Sequence, residues 1–306
     1  MAQAPHLLIR ILASATVTAN FAGKIVRDVM NKGDLGIVDK GKNDLQTEAD
    51  RSAQLCIIGS LSRQFPKITI IGEEGTSTCH CPEEWITTTS DQEVLSLSCP
   101  EQYHNLSESD VTVWVDPLDG TSEYTQGLLD HVTVLIGIAV KEKAVAGVIH
   151  QPYYNYQNGG ELGRTVWGFE GVGVGGFVPT SPPKGQRIIT TTRSHSNPVV
   201  QATLDALKPD KVLKVGGAGH KAMLLMEGKA HTWAFASGGT KRWDTCAPEA
   251  VLHAAGGKLT DLHGNSYSYA KDTSHANSGG VLATAHSDEH DIYLKSIPSE
   301  VREKLS

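Results

Sequence analysis

The run Trp114-Val115-Asp116-Pro117-Leu118-Asp119-Gly120-Thr121 decides how this chain is read. An apolar stretch from Val111 to Val115 reads as a strand, with Asp116 at its end. Pro117 fixes φ and turns the chain, which swings the Asp119 carboxylate, three residues on, back beside that of Asp116. Gly120 tolerates a tight backbone, and Thr121 is a natural N-cap for a following helix. The expected outcome is two carboxylates and a helix N-terminus aimed at one point, which suits a hard dication and a phosphate. Taken alone, the run reads equally well as an acidic turn with a capping threonine.

Two further acidic motifs shift that balance. Ile70-Ile71-Gly72-Glu73-Glu74 places acids at the end of another buried strand, and Lys241-Arg242-Trp243-Asp244-Thr245-Cys246-Ala247-Pro248 places Asp244 at the start of a helix. Glu73, Asp116, Asp119 and Asp244 all sit at element ends, where the binding groups of α/β folds gather. One helix-start aspartate is usually only a cap; three such motifs in one chain point to a metal site.

Together, Glu-Glu after a strand, Asp-Pro-Leu-Asp-Gly-Thr, and Trp-Asp-x-x-Ala-Pro resemble the inositol monophosphatase-like superfamily of lithium-sensitive, magnesium-dependent phosphatases. The resemblance runs from about Ala22 to Thr284. It implies an α/β fold of alternating α-β-α-β-α layers, the sandwich of the inositol monophosphatase/fructose-1,6-bisphosphatase type. It also implies metal ligands at Glu73, Asp116, the Leu118 carbonyl, Asp119 and Asp244, holding two or three Mg2+ ions, with inhibition by Li+. Asp44-Leu45-Gln46-Thr47-Glu48-Ala49-Asp50 resembles the family's Asp-x-x-Thr-x-x-Asp segment, in which Asp50 pairs with Thr121 to activate a water. A capping box between Thr47 and Asp50 is the plainer alternative for Asp50.

Within the superfamily, Ile188-Ile189-Thr190-Thr191-Thr192-Arg193-Ser194-His195-Ser196 and Val215-Gly216-Gly217-Ala218-Gly219-His220-Lys221 resemble the bisphosphate nucleotidase branch. Its substrate-contacting positions fall on Gly120, Thr192, His195, Gly217 and Lys221. Thr192 and His195 lie where a strand gives way to a helix, Gly217 allows close backbone approach, and Lys221 offers a cation to a second phosphate. On spacing alone, His195 reads as a helix-start residue and Lys221 as part of a solvated helix face. The branch implies removal of the 3'-phosphate of adenosine 3',5'-bisphosphate by a metal-activated water, giving AMP and phosphate. 3'-Phosphoadenylyl sulfate is a second substrate, and inositol 1,4-bisphosphate is admitted by some members. An inositol (poly)phosphate 1-phosphatase of the same fold is the alternative enzyme, and a non-catalytic nucleotide or metal sensor the alternative of another class.

Composition narrows the field. The 306 residues hold 27 Lys plus Arg against 34 Asp plus Glu, a net charge of −7. No global basic surface offsets the phosphates of a nucleic acid, so none is expected as a partner. No stretch approaches the length of a membrane span, and the apolar Leu7–Ala15 run is interrupted by Arg10 and lacks a cationic lead, so it does not read as a signal peptide. Five cysteines, at 56, 79, 81, 99 and 246, do not form a disulfide framework, and a reducing, cytoplasmic setting is expected. Cys79-His80-Cys81 has no second pair at zinc-ligand spacing and reads as an exposed loop. Gly171-x-Gly173-x-x-Gly176 matches a dinucleotide fingerprint only formally, since Phe177-Val178-Pro179 follows instead of a helix.

Periodicity sets the organisation. Leu8, Ile11, Leu12, Ala15, Ala22, Ile25, Val26 and Val29 suit a long amphipathic helix, ended by Gly33-Asp34-Leu35-Gly36. A second helix is expected from Thr47 to Phe65, then a strand over Ile68–Ile71. Residues 75–110 turn polar and read as a surface excursion, partly ordered at best. Strands at 131–140 and 144–150 form a hairpin, and Thr165–Phe169 is another strand. The Gly- and Pro-rich residues 171–185 mark the expected boundary between an N-terminal α+β half (1–180), carrying most metal ligands, and a C-terminal α/β half (181–306), carrying the nucleotide contacts and Asp244. Beyond it, strands at 187–192, 212–215, 232–236 and 281–284 alternate with helices at 198–207, 218–227 and 245–255.

Overall fold

The computed structural model describes residues 5–41, 44–76 and 79–305. The long N-terminal pattern forms α1 (Leu7–Lys32), closed by Gly33, whose left-handed φ of 81° lets its N–H reach the Met30 carbonyl. Two short antiparallel strands follow, β1 (Val38–Gly41), exposed along its length, and β2 (Asp44–Gln46). Next come α2 (Glu48–Gln64), capped by Thr47, and β3 (Thr69–Gly72). The side chain of Asp44, first residue of the family-like segment, lies outside the described residues, as do residues 77 and 78.

From residue 79 onward, the polar 75–110 excursion is better ordered than its composition led us to expect. It folds into short helical turns at Glu83–Trp85, α3 (Gln92–Leu95), Glu101–Tyr103 and Glu108–Asp110. Buried Val94, Cys99 and Tyr103 anchor it, and the Asp91 N–H bonds the Ala13 carbonyl on α1. A few apolar anchors and a capping aspartate suffice to order a segment that is hydrophilic on average.

β4 (Val111–Asp119) is buried along its whole length. It leads into the one-turn α4 (Thr121–Thr125), then β5 (Thr133–Val140), β6 (Lys143–Gln151), β7 (Arg164–Phe169) and β8 (Gly173–Gly175). These strands form a six-stranded sheet of order β3-β4-β5-β6-β7-β8, antiparallel except for β3 beside β4. After the 171–185 stretch come β9 (Ile188–Thr192), α5 (Pro198–Leu207), β10 (Lys211–Val215), α6 (Ala218–Met226), β11 (Thr232–Phe235), α7 (Arg242–Ala254), β12 (Lys258–Thr260) and β13 (Val281–Thr284). Their strands form a second sheet of order β10-β9-β11-β13-β12. α8 (His290–Ser296) and α9 (Ser299–Arg302) close the described chain.

The layers are α1/α2, the six-stranded sheet, α6/α7, the five-stranded sheet, and α5/α8/α9. This is the α-β-α-β-α order that the motifs implied. Because helices cover both faces of the first sheet, its central strands β5 and β6 are buried almost end to end and read as near-continuous apolar runs. α7 sinks deep into the first sheet through a row of glycines. Gly137, Gly147 and Gly168 are cross-strand neighbours on β5, β6 and β7. A Cβ at these positions would come within 2.5 Å of Cys246, 2.9 Å of Ala247 and 2.6 Å of Val251. The missing side chains form the groove that seats α7, and with it Asp244.

Candidate functional site

The β4 end differs from the sequence reading in an instructive way. The strand does not stop at Asp116 but continues to Asp119, with its pairing to β5 shifting register between the two aspartates. Pro117 has no N–H to give the ladder, and the Asp116 carboxylate takes the Leu118 N–H instead, at 3.1 Å. A β-bulge, not a turn, therefore re-aims the side chains. Gly120, with φ 89°, and not Thr121, is the N-cap of α4. Thr121 is the first helical residue, and its hydroxyl lies 3.0 Å from both Asp50 Oδ1 and the Leu118 carbonyl. α4 is held from below by Tyr124, whose hydroxyl donates to the Val26 carbonyl of α1 at 2.8 Å.

Asp50 satisfies both of its readings at once. Its Oδ2 accepts from the Thr47 N–H at 2.7 Å and the Thr47 hydroxyl at 2.5 Å, forming the capping box of α2, while Oδ1 accepts from Thr121. The helix start thus fixes the carboxylate that Thr121 meets. Burial lifts Asp50 to about 6, against the lowering effect of the Thr47 bonds.

Carboxylate oxygens of Asp116, Asp119 and Asp244 all lie within 4.8 Å of one another. Two ligand oxygens on one ion with bonds of about 2.1 Å can be at most about 4.2 Å apart, so only a small closure separates this set from a shared coordination sphere. Glu73 and Asp244 each make side-chain contact with Asp116. The second acid of the Glu-Glu pair is engaged elsewhere: Glu74 pairs with Lys40 at 3.0 Å, and Lys40 lies 3.8 Å from Glu73. Burial, then mutual repulsion, raises this group. Asp116 stands well above the ordinary aspartate value because of burial and then Glu73; Glu73 is raised by burial and then Asp244; Asp244 reaches about 7 by burial and then Asp119. Packed carboxylates whose charges oppose one another in a dry site are stabilised by a cation. With oxygen donors only, the set fits a hard divalent ion such as magnesium.

Asp119 shows how the halves of the site lock together. It accepts the backbone N–H of Ala218 at 2.7 Å, the N–H of Gly219 at 2.8 Å and the Thr133 hydroxyl at 2.5 Å. The tip of α6 is thus capped by a carboxylate from the other sheet. Gly217, with φ 71°, makes this possible: a Cβ there would lie 2.4 Å from the His131 carbonyl and 3.1 Å from Asp119. The same His131 carbonyl lies against Gly120, so one peptide oxygen spaces the two glycine turns. The sequence reading missed Thr133, the Ala218 and Gly219 amides and His131. The Gly216-Gly217 pair ahead of a helix was the available signal for the amides.

An open cleft of about 790 Å³, counted to its mouth, joins these groups to the remaining sequence candidates. Its lining includes Glu73, Asp119, Gly120, Thr121, Thr192, His195, Gly217, Lys221 and Asp244. Lys221 is not on a solvated face: it is 7 % exposed, and its Nζ donates to the Gly217 carbonyl at 2.9 Å. Burial lowers its pKa, opposed by Asp119, Glu123 and Asp244. His195 does not start a helix; Asn197 caps α5, and His195 is exposed in the preceding loop with its N–H on Thr192 Oγ1 at 3.0 Å. Across the cleft mouth, Arg193 reaches Glu123 at 3.3 Å and Gln126 at 2.7 Å, tying the loop after β9 to α4.

The sequence profile of the inositol monophosphatase family matches residues 9–301. The chain belongs to the inositol monophosphatase family. Among its curated relatives, human 3'(2'),5'-bisphosphate nucleotidase 1 is 54 % identical over 308 residues, covering 100 % of this chain and 99 % of that protein. The Dictyostelium discoideum protein of the same name is 38 % identical, over 94 % of this chain and 96 % of its own length. The bovine Golgi-resident adenosine 3',5'-bisphosphate 3'-phosphatase is 30 % identical, over 94 % and 79 %. An inositol monophosphatase from Thermotoga maritima superposes with a TM-score of 0.66 at 19 % identity, covering 95 % of this chain and 97 % of that one. That likeness confirms the layered family fold. No described helix is long and apolar enough to cross a membrane.

Proposed function

We propose that this member of the inositol monophosphatase family is a magnesium-dependent 3'(2'),5'-bisphosphate nucleotidase. Its reaction removes the 3'-phosphate of adenosine 3',5'-bisphosphate, giving AMP and phosphate, with 3'-phosphoadenylyl sulfate as a second substrate. The observation that carries the reading is the content of one cleft: an acid cluster suited to metal and, within electrostatic reach of it, a buried lysine, Lys221. A substrate with two phosphates would set one on the metal that the acids hold and offer the other to the lysine. Identity of 54 % to a full-length nucleotidase supports the same choice.

In this reading Glu73, Asp116, Asp119, Asp244 and the Leu118 carbonyl hold the ions. Bound magnesium would supply charge neutralisation at the phosphoryl oxygens and a lowered pKa for water in its shell. Thr121, donating its proton to Asp50, keeps oxygen lone pairs with which to orient an attacking water. Asp50, fixed by the Thr47 cap, holds that hydroxyl in place. Lys221 binds the second phosphate, while Thr192, His195, Gly120 and Gly217 shape the nucleoside side of the cleft. Lithium is expected to inhibit by taking one metal position. Inositol 1,4-bisphosphate remains a secondary substrate in this scheme. A cytoplasmic setting is favoured by five cysteines that form no disulfide among the described residues.

The deciding assay is phosphate release from adenosine 3',5'-bisphosphate and from inositol 1-phosphate, with magnesium, with and without lithium. Preferential, lithium-sensitive turnover of the nucleotide is the expected result. Preference for the inositol ester would move the enzyme to the inositol phosphate branch. Tight nucleotide binding without release would make it a sensor.

A further inference from the structure

Trp233 stands out among the residues that line the cleft. Along β11 it shares a face with Phe235, and both rings border the same space as Lys221 and Asp244. Trp233 is 1 % exposed, and its indole Nε1–H has no hydrogen-bond partner among the described residues. An indole nitrogen can only donate, and native folds rarely leave a buried donor without an acceptor. The Lys221 Nζ lies 5.7 Å from the centroid of this ring and uses one of its three protons on the Gly217 carbonyl. Two side chains with donors to give and no acceptor capacity thus sit together at the cleft wall. The complementary group is an acceptor with oxygens in several directions, and the lysine charge selects an anion.

We propose that the Trp233 indole N–H and the Lys221 ammonium together bind the phosphate of the substrate that is not hydrolysed. Trp233 is then a specificity residue of this site, distinguishing a bisphosphorylated nucleotide from a monophosphorylated one. The inference rests on the nucleotidase reading above. The aromatic face lies against the lysine ammonium while the indole edge adds a directed, charge-assisted hydrogen bond to one phosphate oxygen.

The test is Trp233→Phe, which keeps an aromatic ring and deletes the donor. KM for adenosine 3',5'-bisphosphate should rise roughly tenfold or more, the worth of one hydrogen bond to a charged group, with kcat unchanged. KM for 3'-AMP, which lacks the second phosphate, should be the same in both proteins. An unchanged KM for the bisphosphate, or an equal rise for both substrates, would overturn the proposal, the latter by showing a packing role. A second measurement needs only the folded wild type. Of the five tryptophan indole N–H resonances, that of Trp233, assigned from triple-resonance spectra of the wild type itself, should move downfield with AMP and stay in place with adenosine. No movement with AMP refutes the contact even if Trp233→Phe does not fold. Should the wild type release phosphate from neither nucleotide, the nucleotidase reading itself fails, a different outcome from turnover that ignores Trp233→Phe.

Discussion

Replacing Gly147 by alanine should damage a site that Gly147 never touches. The residue lies in the middle of β6, with no left-handed backbone, so alanine brings no conformational strain and would ordinarily favour the strand. The obstacle is space: the new Cβ would sit 2.9 Å from both the Cα and the carbonyl oxygen of Ala247 on α7. Carbon contacts relax to about 3.5–4.0 Å, so α7 must back away by about 0.5–1 Å. Overpacking of this kind costs about 1–3 kcal/mol. Asp244 lies three residues before Ala247, on the first turn of the same helix, and would move with it away from Asp116 and Asp119. A displacement of about 1 Å in a catalytic group lowers turnover by about 10²-fold. Phosphate release across a magnesium titration, beside a thermal melt, reads both effects: Gly147→Ala should need more magnesium, turn over more slowly and melt earlier. Gly160→Ala, whose Cβ would come no closer than 3.7 Å to any neighbour, is the control. Wild-type activity and Tm in Gly147→Ala would show that the glycine groove does not position Asp244.

Other consequences follow from the same geometry. Asp50 is held near 6 and Asp244 near 7, both above the ordinary 3.8 of aspartate. The folded metal-free protein therefore keeps protons that the unfolded chain releases; this stability is complete below about pH 4 and is lost as pH rises to about 7. Magnesium needs the ionised acids, so the gain in Tm on adding it should grow from pH 5 to pH 8; a gain independent of pH, measured by calorimetry, would contradict the electrostatic account. Asp50→Asn keeps an oxygen for the Thr47 cap but turns an N–H₂ toward Thr121, so Tm should change little while turnover falls by about 10²–10⁴-fold; wild-type turnover would remove Asp50 from the mechanism. Gly217→Ala puts a Cβ 2.4 Å from the His131 carbonyl at a φ of 71°, and should lower both Tm and nucleotide affinity; unchanged values in a melt and a binding titration would count against the two-turn arrangement.

Much of the fold was legible because periodicity and burial agree. The apolar face of α1, the Thr47 start of α2, the β5–β6 hairpin and the strand–helix alternation after residue 187 all follow from it. The β1–β2 pair escaped notice because the described β1 side chains are exposed and carry no apolar pattern. The end of β4 was misread because proline ordinarily stops a strand; here the Asp116 side chain takes over the Leu118 N–H and the sheet absorbs the irregularity as a bulge. In the site, acidic side chains announce themselves in sequence. The groups that orient them do not: the Ala218 and Gly219 amides and the His131 carbonyl are backbone atoms whose role depends on contacts between residues about 85–100 positions apart.

The central claim is that Asp116, Asp119, Asp244 and Glu73 share divalent cations, and manganese, with its anomalous X-ray signal, tests it most directly. Crystals grown with Mn2+ should show an anomalous peak about 2.1–2.3 Å from oxygens of Asp116, Asp119 and Asp244, with Glu73 reaching the same or an adjacent ion. Anomalous density confined to other parts of the molecule, with those carboxylates unliganded, would contradict the account.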